Sequence, residues 1–197
     1  MKSTLCAALV LALMSLTHVP AVALPSAPSD TLSEQSLYRF DAVWTNQDGQ
    51  DIRLVDLRGK PLLVAMIYTD CQAACPVIVH NMKRIGKHVT DLGGPDLGYL
   101  LVSINPEHDM PEMLRQFSEM HRLSAPDWTL LQGPDTDVRT LATLLGVRYK
   151  REANGQYSHS NVITLLSTNG EILYQQDRLD VAPAITAEAI RTRLADG

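Results

Sequence analysis

The sequence predicts an α/β fold built on a mixed sheet, and three observations carry that expectation. An apolar run from Leu62 to Ile67, bracketed by Gly59-Lys60-Pro61 and Thr69-Asp70, is too short for a typical helix and reads as a buried strand. A helical stripe of Ile78, Met82, Ile85 and Val89 follows, then a second apolar strand from Leu97 to Ile104; strand, helix, strand is a parallel crossover. Finally, Tyr157 to Leu166 and Ile172 to Gln175 flank Ser167-Thr168-Asn169-Gly170-Glu171, a strong hairpin signal that adds antiparallel strands to the parallel core.

The remaining elements follow in chain order. Lys2 precedes an apolar run from Leu5 to Leu16, and Ala21-Val22-Ala23 offers a small-x-small cleavage site, so residues 1–23 are expected to be a secretory signal, or a membrane anchor if it stays uncleaved. Residues 24–36, rich in Pro, Ser and polar groups, are expected to be a flexible lead-in, and residues 37–197 the folded domain. Tyr38 to Trp44 and Gln50 to Leu54 flank Asn46-Gln47-Asp48-Gly49 and predict a first hairpin. Asp109-Met110-Pro111-Glu112 has the spacing of a capping box and opens a helix through about His121. Trp128 to Leu131 is a short strand, Asp135 to Leu145 a helix closed by Gly146, and Pro183 to Leu194 a last helix.

The 197 residues are 45% hydrophobic and 20% charged, enough for one sizeable core. Formal charge is −5, and loss of Lys2 with the signal takes it to −6. A mildly acidic chain has no bulk attraction for nucleic acid or anionic lipid. The signal also carries off Cys6, which leaves Cys71 and Cys75. An exported pair is ordinarily a structural disulfide, but a bridge closing so short a loop removes little unfolded-state entropy and is a better switch than staple.

The pair lies where the first core strand turns into its helix, with Pro76 expected at the first helical position. The helix dipole and free N–H groups there favour thiolate, and Cys75 in particular is expected to have a lowered pKa. A dithiol between the first core strand and its helix is similar to that of thioredoxin, but here Gln72-Ala73-Ala74 put three residues between the sulfurs instead of two. The extra residue lets the sulfurs splay around an ion.

Three blocks in order complete a resemblance. Tyr68-Thr69-Asp70-Cys71-Gln72-Ala73-Ala74-Cys75-Pro76, then Ser103-Ile104-Asn105-Pro106-Glu107-His108-Asp109-Met110-Pro111-Glu112, then Ser158-His159-Ser160 with Asn169-Gly170 beyond, span nearly all of residues 38–195. Together they resemble the Sco/SenC family of copper-binding proteins involved in cytochrome c oxidase assembly. The resemblance implies a thioredoxin-like (peroxiredoxin-like) mixed sheet flanked by helices, with N-terminal and C-terminal hairpin additions. It implies that a copper ion is held by Cys71, Cys75 and His159, and that Cys71 and Cys75 are a redox-active pair. It further implies a periplasmic chaperone whose partners are cytochrome c oxidase subunit II or another periplasmic copper protein, and a thiol-disulfide reductant. The chemistry agrees: two soft thiolates and an imidazole suit Cu(I), and the imidazole also accommodates Cu(II). Carboxylates that the family often carries are missing here, with Gln72-Ala73-Ala74 between the cysteines, Asn105 after the second strand and Ser158 before the histidine.

A second class of function is a thiol-disulfide oxidoreductase acting on partner cysteines without copper; His159 speaks for copper, since a pure dithiol reductant needs no distant imidazole. A peroxidase fits poorly, because Val64 and Tyr68 stand before Cys71 where its Pro and Thr would be. A redox-sensing module shares every feature of the oxidoreductase. Among the other candidates, Met66 and Met82 read as core filler, His80, His88, His108 and His121 as surface or capping groups, Asp109 and Glu112 as helix caps, and Asp70 as either a recognition group or a solvated loop residue.

Overall fold

The structure, a computed structural model, describes residues 31–196; the expected signal and the first part of the lead-in, residues 24–30, lie outside the described residues. No described helix is long and apolar enough to cross a membrane.

Seven strands form one mixed sheet in the order β2-β1-β5-β4-β3-β8-β9. β3 (Leu62–Ile67) lies inside it, between β4 and β8, and is buried at every position. β3 runs parallel to β4 (Gly98–Ser103), and β4 parallel to β5 (Trp128–Gln132). The N-terminal hairpin, β1 (Trp44–Asn46) and β2 (Asp51–Ile52), joins antiparallel to β5. The C-terminal hairpin, β8 (Ile163–Leu166) and β9 (Ile172–Gln176), joins antiparallel to β3. The hairpin turns use their glycines as the sequence implies: Gly49 and Gly170 take φ of 77° and 84°, a region costly for other residues.

Four helices flank the sheet: α1 (Ala74–Asp91), α2 (Pro111–His121), α3 (Asp135–Leu144) and α4 (Pro183–Asp196). The predicted stripe of α1, Ile78, Met82, Ile85 and Val89, is buried throughout. α1 packs against α4, and Asn81 Nδ2 donates to the Leu179 carbonyl at 3.0 Å just ahead of it. Gly86 lets α1 approach the sheet, since a Cβ there would sit 1.8 Å from the hydroxyl of Tyr99, whose ring is stacked on Trp128 at 4.3 Å.

Three expectations need correction. Residues 37–39 form a short 3₁₀ turn instead of a strand. The lead-in is tied down before Leu37: Ser33 Oγ donates to Glu171 at 2.8 Å, and Ser36 is buried with its hydroxyl on the Asn169 carbonyl. Polar side chains that find partners on the β8–β9 turn do not stay flexible. The expected strand from Tyr157 to Leu166 is broken in two. Its first half, β7 (Tyr157–His159), leaves the main sheet and pairs with β6 (Tyr149–Arg151), which the sequence did not announce, as a separate two-stranded ribbon.

Candidate metal centre

The site forms where β3 leaves the sheet. After Ile67 the chain turns through Tyr68 to Ala73 and enters α1 at Ala74, so Pro76 is the third helical residue; its missing N–H still costs nothing in the first turn. Cys71 and Cys75 are both buried, unbridged thiols, and the Cys75 N–H donates to Cys71 Sγ at 3.3 Å.

His159 arrives through the register of the sheet. Because β8 is antiparallel to β3, with Ala65 opposite Ile163, the start of β8 lies beside the end of β3, and the chain just before it carries His159 there. The β6–β7 ribbon is held on the body by Tyr157, whose ring lies 5.5 Å from that of Tyr68 and whose hydroxyl meets Asn105 Oδ1 at 3.3 Å. Tyr68 also meets the half-buried His159 ring edge-on at 6.0 Å. His159 Nδ1 lies 3.2 Å from the Ser160 carbonyl, which can only accept; the proton therefore sits on Nδ1 and Nε2 keeps its lone pair.

The consequence is a cluster in which one donor atom each from Cys71, Cys75 and His159 lie within 4.8 Å of one another. Bonds of about 2.3 Å to sulfur and about 2.0 Å to nitrogen space the donors around one ion by roughly 3.5–4 Å, so a closure of about an ångström suffices. Two soft sulfurs and a neutral imidazole are a donor set for a soft transition metal.

A model of the SCO1/SenC family matches residues 31–195. The chain belongs to the SCO1/SenC family. The SCO1 protein homolog of Bacillus subtilis (strain 168) is 26% identical over 141 residues, 70% of this chain and 72% of that protein. The crystal structure of Arabidopsis thaliana ScoI with copper bound matches with a TM-score of 0.72 at 17% identity, over 79% of this chain and 97% of that one. BsSco, described as a member of the Sco family of cytochrome c oxidase assembly proteins with a disulfide switch, matches with a TM-score of 0.65 at 23% identity, over 78% of this chain and 91% of that one. The thioredoxin-like mixed sheet is thus the family's fold.

Within this SCO1/SenC site the two sulfurs differ, in the reverse of the expected sense. Burial pushes the Cys75 thiol far up, and its contact with Cys71 adds to the rise. Cys71 is also raised by burial, but hydrogen bonds from the Cys75 thiol and from the backbone N–H groups of Cys75, Ala73 and Ala74 outweigh this and leave it lowered. The reason is where the helix starts. Its free N–H groups meet the sulfur that precedes them, Cys71, while Cys75 sits inside the first turn and is fully enclosed. Burial lowers His159 below the ordinary imidazole value, which keeps it neutral and able to ligate at neutral pH. A first prediction follows: brief iodoacetamide treatment of the reduced protein at pH 7 labels Cys71 well before Cys75, as read by peptide mass mapping. Equal labelling would contradict the asymmetry.

Asp109 is the group that sequence reasoning misassigned. It does not cap α2, whose N-cap Met110 has no side-chain bond. Instead its carboxylate is completely buried and accepts from the Thr69 N–H at 3.0 Å, the Thr69 hydroxyl at 2.6 Å and the Ser103 hydroxyl at 2.6 Å. It thereby clasps the ends of β3 and β4 together and holds the strand exit two residues ahead of Cys71. His108 is an exposed surface group, one of the two roles its sequence position allowed, with its ring 3.3 Å from Asp109 and 3.4 Å from the exposed Asp70. A cue was present in the spacing, because Thr69 falls just past β3, Ser103 is the last residue of the adjacent parallel β4, and Asp109 follows six residues later. His80 is exposed, and Met66 and Met82 are core, as the sequence implies.

Proposed function

We propose that the chain is an exported, periplasmic copper chaperone that binds Cu(I) and Cu(II) through Cys71, Cys75 and His159. Its cargo goes to the copper site of cytochrome c oxidase subunit II or another periplasmic copper protein, and a thiol-disulfide reductant keeps its cysteines open. One observation carries this reading: the three donors, far apart in sequence, converge within 4.8 Å with both thiols free. Family membership supports it, as do the copper held by Arabidopsis ScoI and the role in oxidase assembly given to the family of BsSco.

The residues divide the work. Cys71, the less enclosed and more acidic thiol, meets the incoming ion first; Cys75 gives up its proton as it ligates, and His159 completes the set. With two thiolates and a neutral imidazole the centre carries −1 with Cu(I) and no charge with Cu(II). Three protein ligands leave one side for a partner's sulfur, so copper leaves by ligand exchange.

A second reading, thiol-disulfide exchange without copper, is favoured by the lowered Cys71 thiol beside a second sulfur. The two compete, because only the dithiol holds copper. Titration with Cu(I) against a competing chelator separates them. The reduced protein is expected to take up one ion per chain, and the protein oxidised to the disulfide none; equal uptake by both would place copper elsewhere. The Cu(II) form is expected to show a thiolate charge-transfer band that vanishes on oxidation of the pair, whereas a colourless complex would mean oxygen or nitrogen ligands alone.

A further inference from the structure

The sequence contains Asn-Gly twice, at Asn154-Gly155 and Asn169-Gly170, and the fold gives both the same turn. At the tip of the β6–β7 ribbon the Gly155 N–H donates to the Glu152 carbonyl at 3.0 Å, the Glu152 N–H donates to the Gln156 carbonyl at 2.8 Å, and Gly155 has φ of 82°. Between β8 and β9 the Gly170 N–H donates to the Ser167 carbonyl at 3.0 Å, the Ser167 N–H donates to the Glu171 carbonyl at 2.8 Å, and Gly170 has φ of 84°. The surroundings differ. Residues 153–156 are all exposed, and a Cβ on Gly155 would meet nothing within 4 Å. Gly170 is buried, and a Cβ there would lie 2.7 Å from the Tyr38 ring. The Leu37 N–H donates to the Gly170 carbonyl at 2.9 Å, Ser36 Oγ donates to the Asn169 carbonyl, and Arg58 Nε donates to Asn169 Oδ1 at 3.0 Å. The β6–β7 ribbon is moreover a sheet of two strands, which is marginal by itself, whereas the other turn joins two strands of the seven-stranded sheet.

We propose that Asn154 is a site of spontaneous deamidation, and that the fold confines the reaction to it by shielding Asn169. The Gly155 nitrogen, unscreened by any Cβ, attacks Asn154 Cγ. A C–N bond forms, the bond from Cγ to Nδ2 breaks, and the nitrogen leaves with its electron pair as ammonia, taking the Gly155 amide proton. Water then opens the cyclic imide at either carbonyl, which gives isoaspartate or aspartate; no other reagent is needed. The attacking nitrogen reaches Cγ only when the turn opens, so the rate follows the free energy of local opening. At Asn154 that breaks the Gly155 bond and the bond from the Gln156 N–H to Asn154 Oδ1 at 3.0 Å, both at an exposed tip. At Asn169 it also strips away Leu37, Ser36 and Arg58, each a further hydrogen bond to exchange for water. The product carries one more carboxylate, which takes the formal charge of the chain from −5 to −6. As isoaspartate it also adds a methylene to the backbone of the ribbon whose last strand residue is His159. The chemistry is indifferent to what the thiols bind.

Peptide mass mapping tests this on the purified protein, incubated in mildly alkaline buffer either native or unfolded in urea. Chymotrypsin then separates the two sites at Tyr157, and conversion shows as the mass gained when an amide becomes a carboxyl group. In the native protein Asn154 is expected to convert at least about 10-fold faster than Asn169. In urea the two rates are expected to come within about 3-fold of each other, because only folding distinguishes the turns. Ser36→Ala with Arg58→Ala, its fold confirmed by circular dichroism, is expected to raise the native rate at Asn169 and to leave Asn154 as it was. Equal native rates, faster conversion at Asn169, or a native Asn154 that stays intact while the unfolded chain converts would each overturn the proposal. So would an Asn169 rate that the double change leaves unmoved.

Discussion

His159→Ala is expected to weaken Cu(I) binding by at least about 100-fold. Loss of a group that only orients a ligand already costs about 10- to 100-fold in metal affinity, and loss of the ligand itself costs no less. His159 supplies one of three donors, and among the described residues no other histidine, cysteine or carboxylate joins the cluster to replace it. Cu(II) binding is expected to fall further than Cu(I) binding, because the two remaining sulfurs are a soft pair that still accommodates Cu(I). Cys71→Ser and Cys75→Ser each remove a thiolate and are expected to cost more than the histidine change. Competition with a chelator of known affinity, run on the reduced proteins at one pH, measures all three. Unchanged affinity in His159→Ala would take the imidazole out of the site.

Asp109→Ala is expected to destabilise the domain by about 3 kcal/mol or more, although the residue touches no metal. The buried carboxylate accepts from one backbone N–H and two hydroxyls, and its removal strands three buried or half-buried donors at the junction of β3 and β4. For a domain of this size that loss lowers the midpoint of thermal unfolding by about 6–12 °C. Asp109→Asn keeps the shape and one acceptor oxygen but turns an amide NH₂ toward groups that also donate, so it is expected to fall between wild type and alanine. A calorimetric shift under about 2 °C for Asp109→Ala would show that the clasp contributes little.

These two residues mark how far the sequence could be read. His159 is named by the company it keeps: two cysteines at a strand-to-helix junction and a third block in the family's order leave the imidazole with a ready role. Asp109 stands at the spacing of a helix cap, and local spacing carries that pattern whether or not the side chain turns outward. Here it turns inward, because two parallel strands end beside it with hydroxyls that need an acceptor. The difference between the cysteines was hidden for a related reason. A sequence places both near a helix start, yet the direction of their shifts depends on which sulfur receives the first-turn N–H groups, and α1 begins at Ala74, two residues before the start that Pro76 suggested.

The break at Ser160-Asn161-Val162 is the clearest case of tertiary structure deciding against a local pattern. Tyr157 to Leu166 is continuous strand-like sequence, but Tyr157 packs on Tyr68 and pairs through β7 with β6, while Ile163 onward pairs with β3. β6 lies just upstream, but β3 lies about a hundred residues away, and it is β3 that takes the second half.

By itself the sequence determined the elements and their chemistry: the apolar runs make buried strands, the periodic stripe makes α1, the glycine turns make hairpins, and two thiols with one imidazole make a soft donor set. Those are consequences of side-chain polarity and backbone freedom, which act over a few residues. Only the tertiary structure decided that β8 runs antiparallel along β3, so that the imidazole meets the sulfurs, and that the interior near them encloses one thiol more than the other. Pairing register and burial are properties of segments brought together from distant parts of the chain, and no short stretch of sequence contains them.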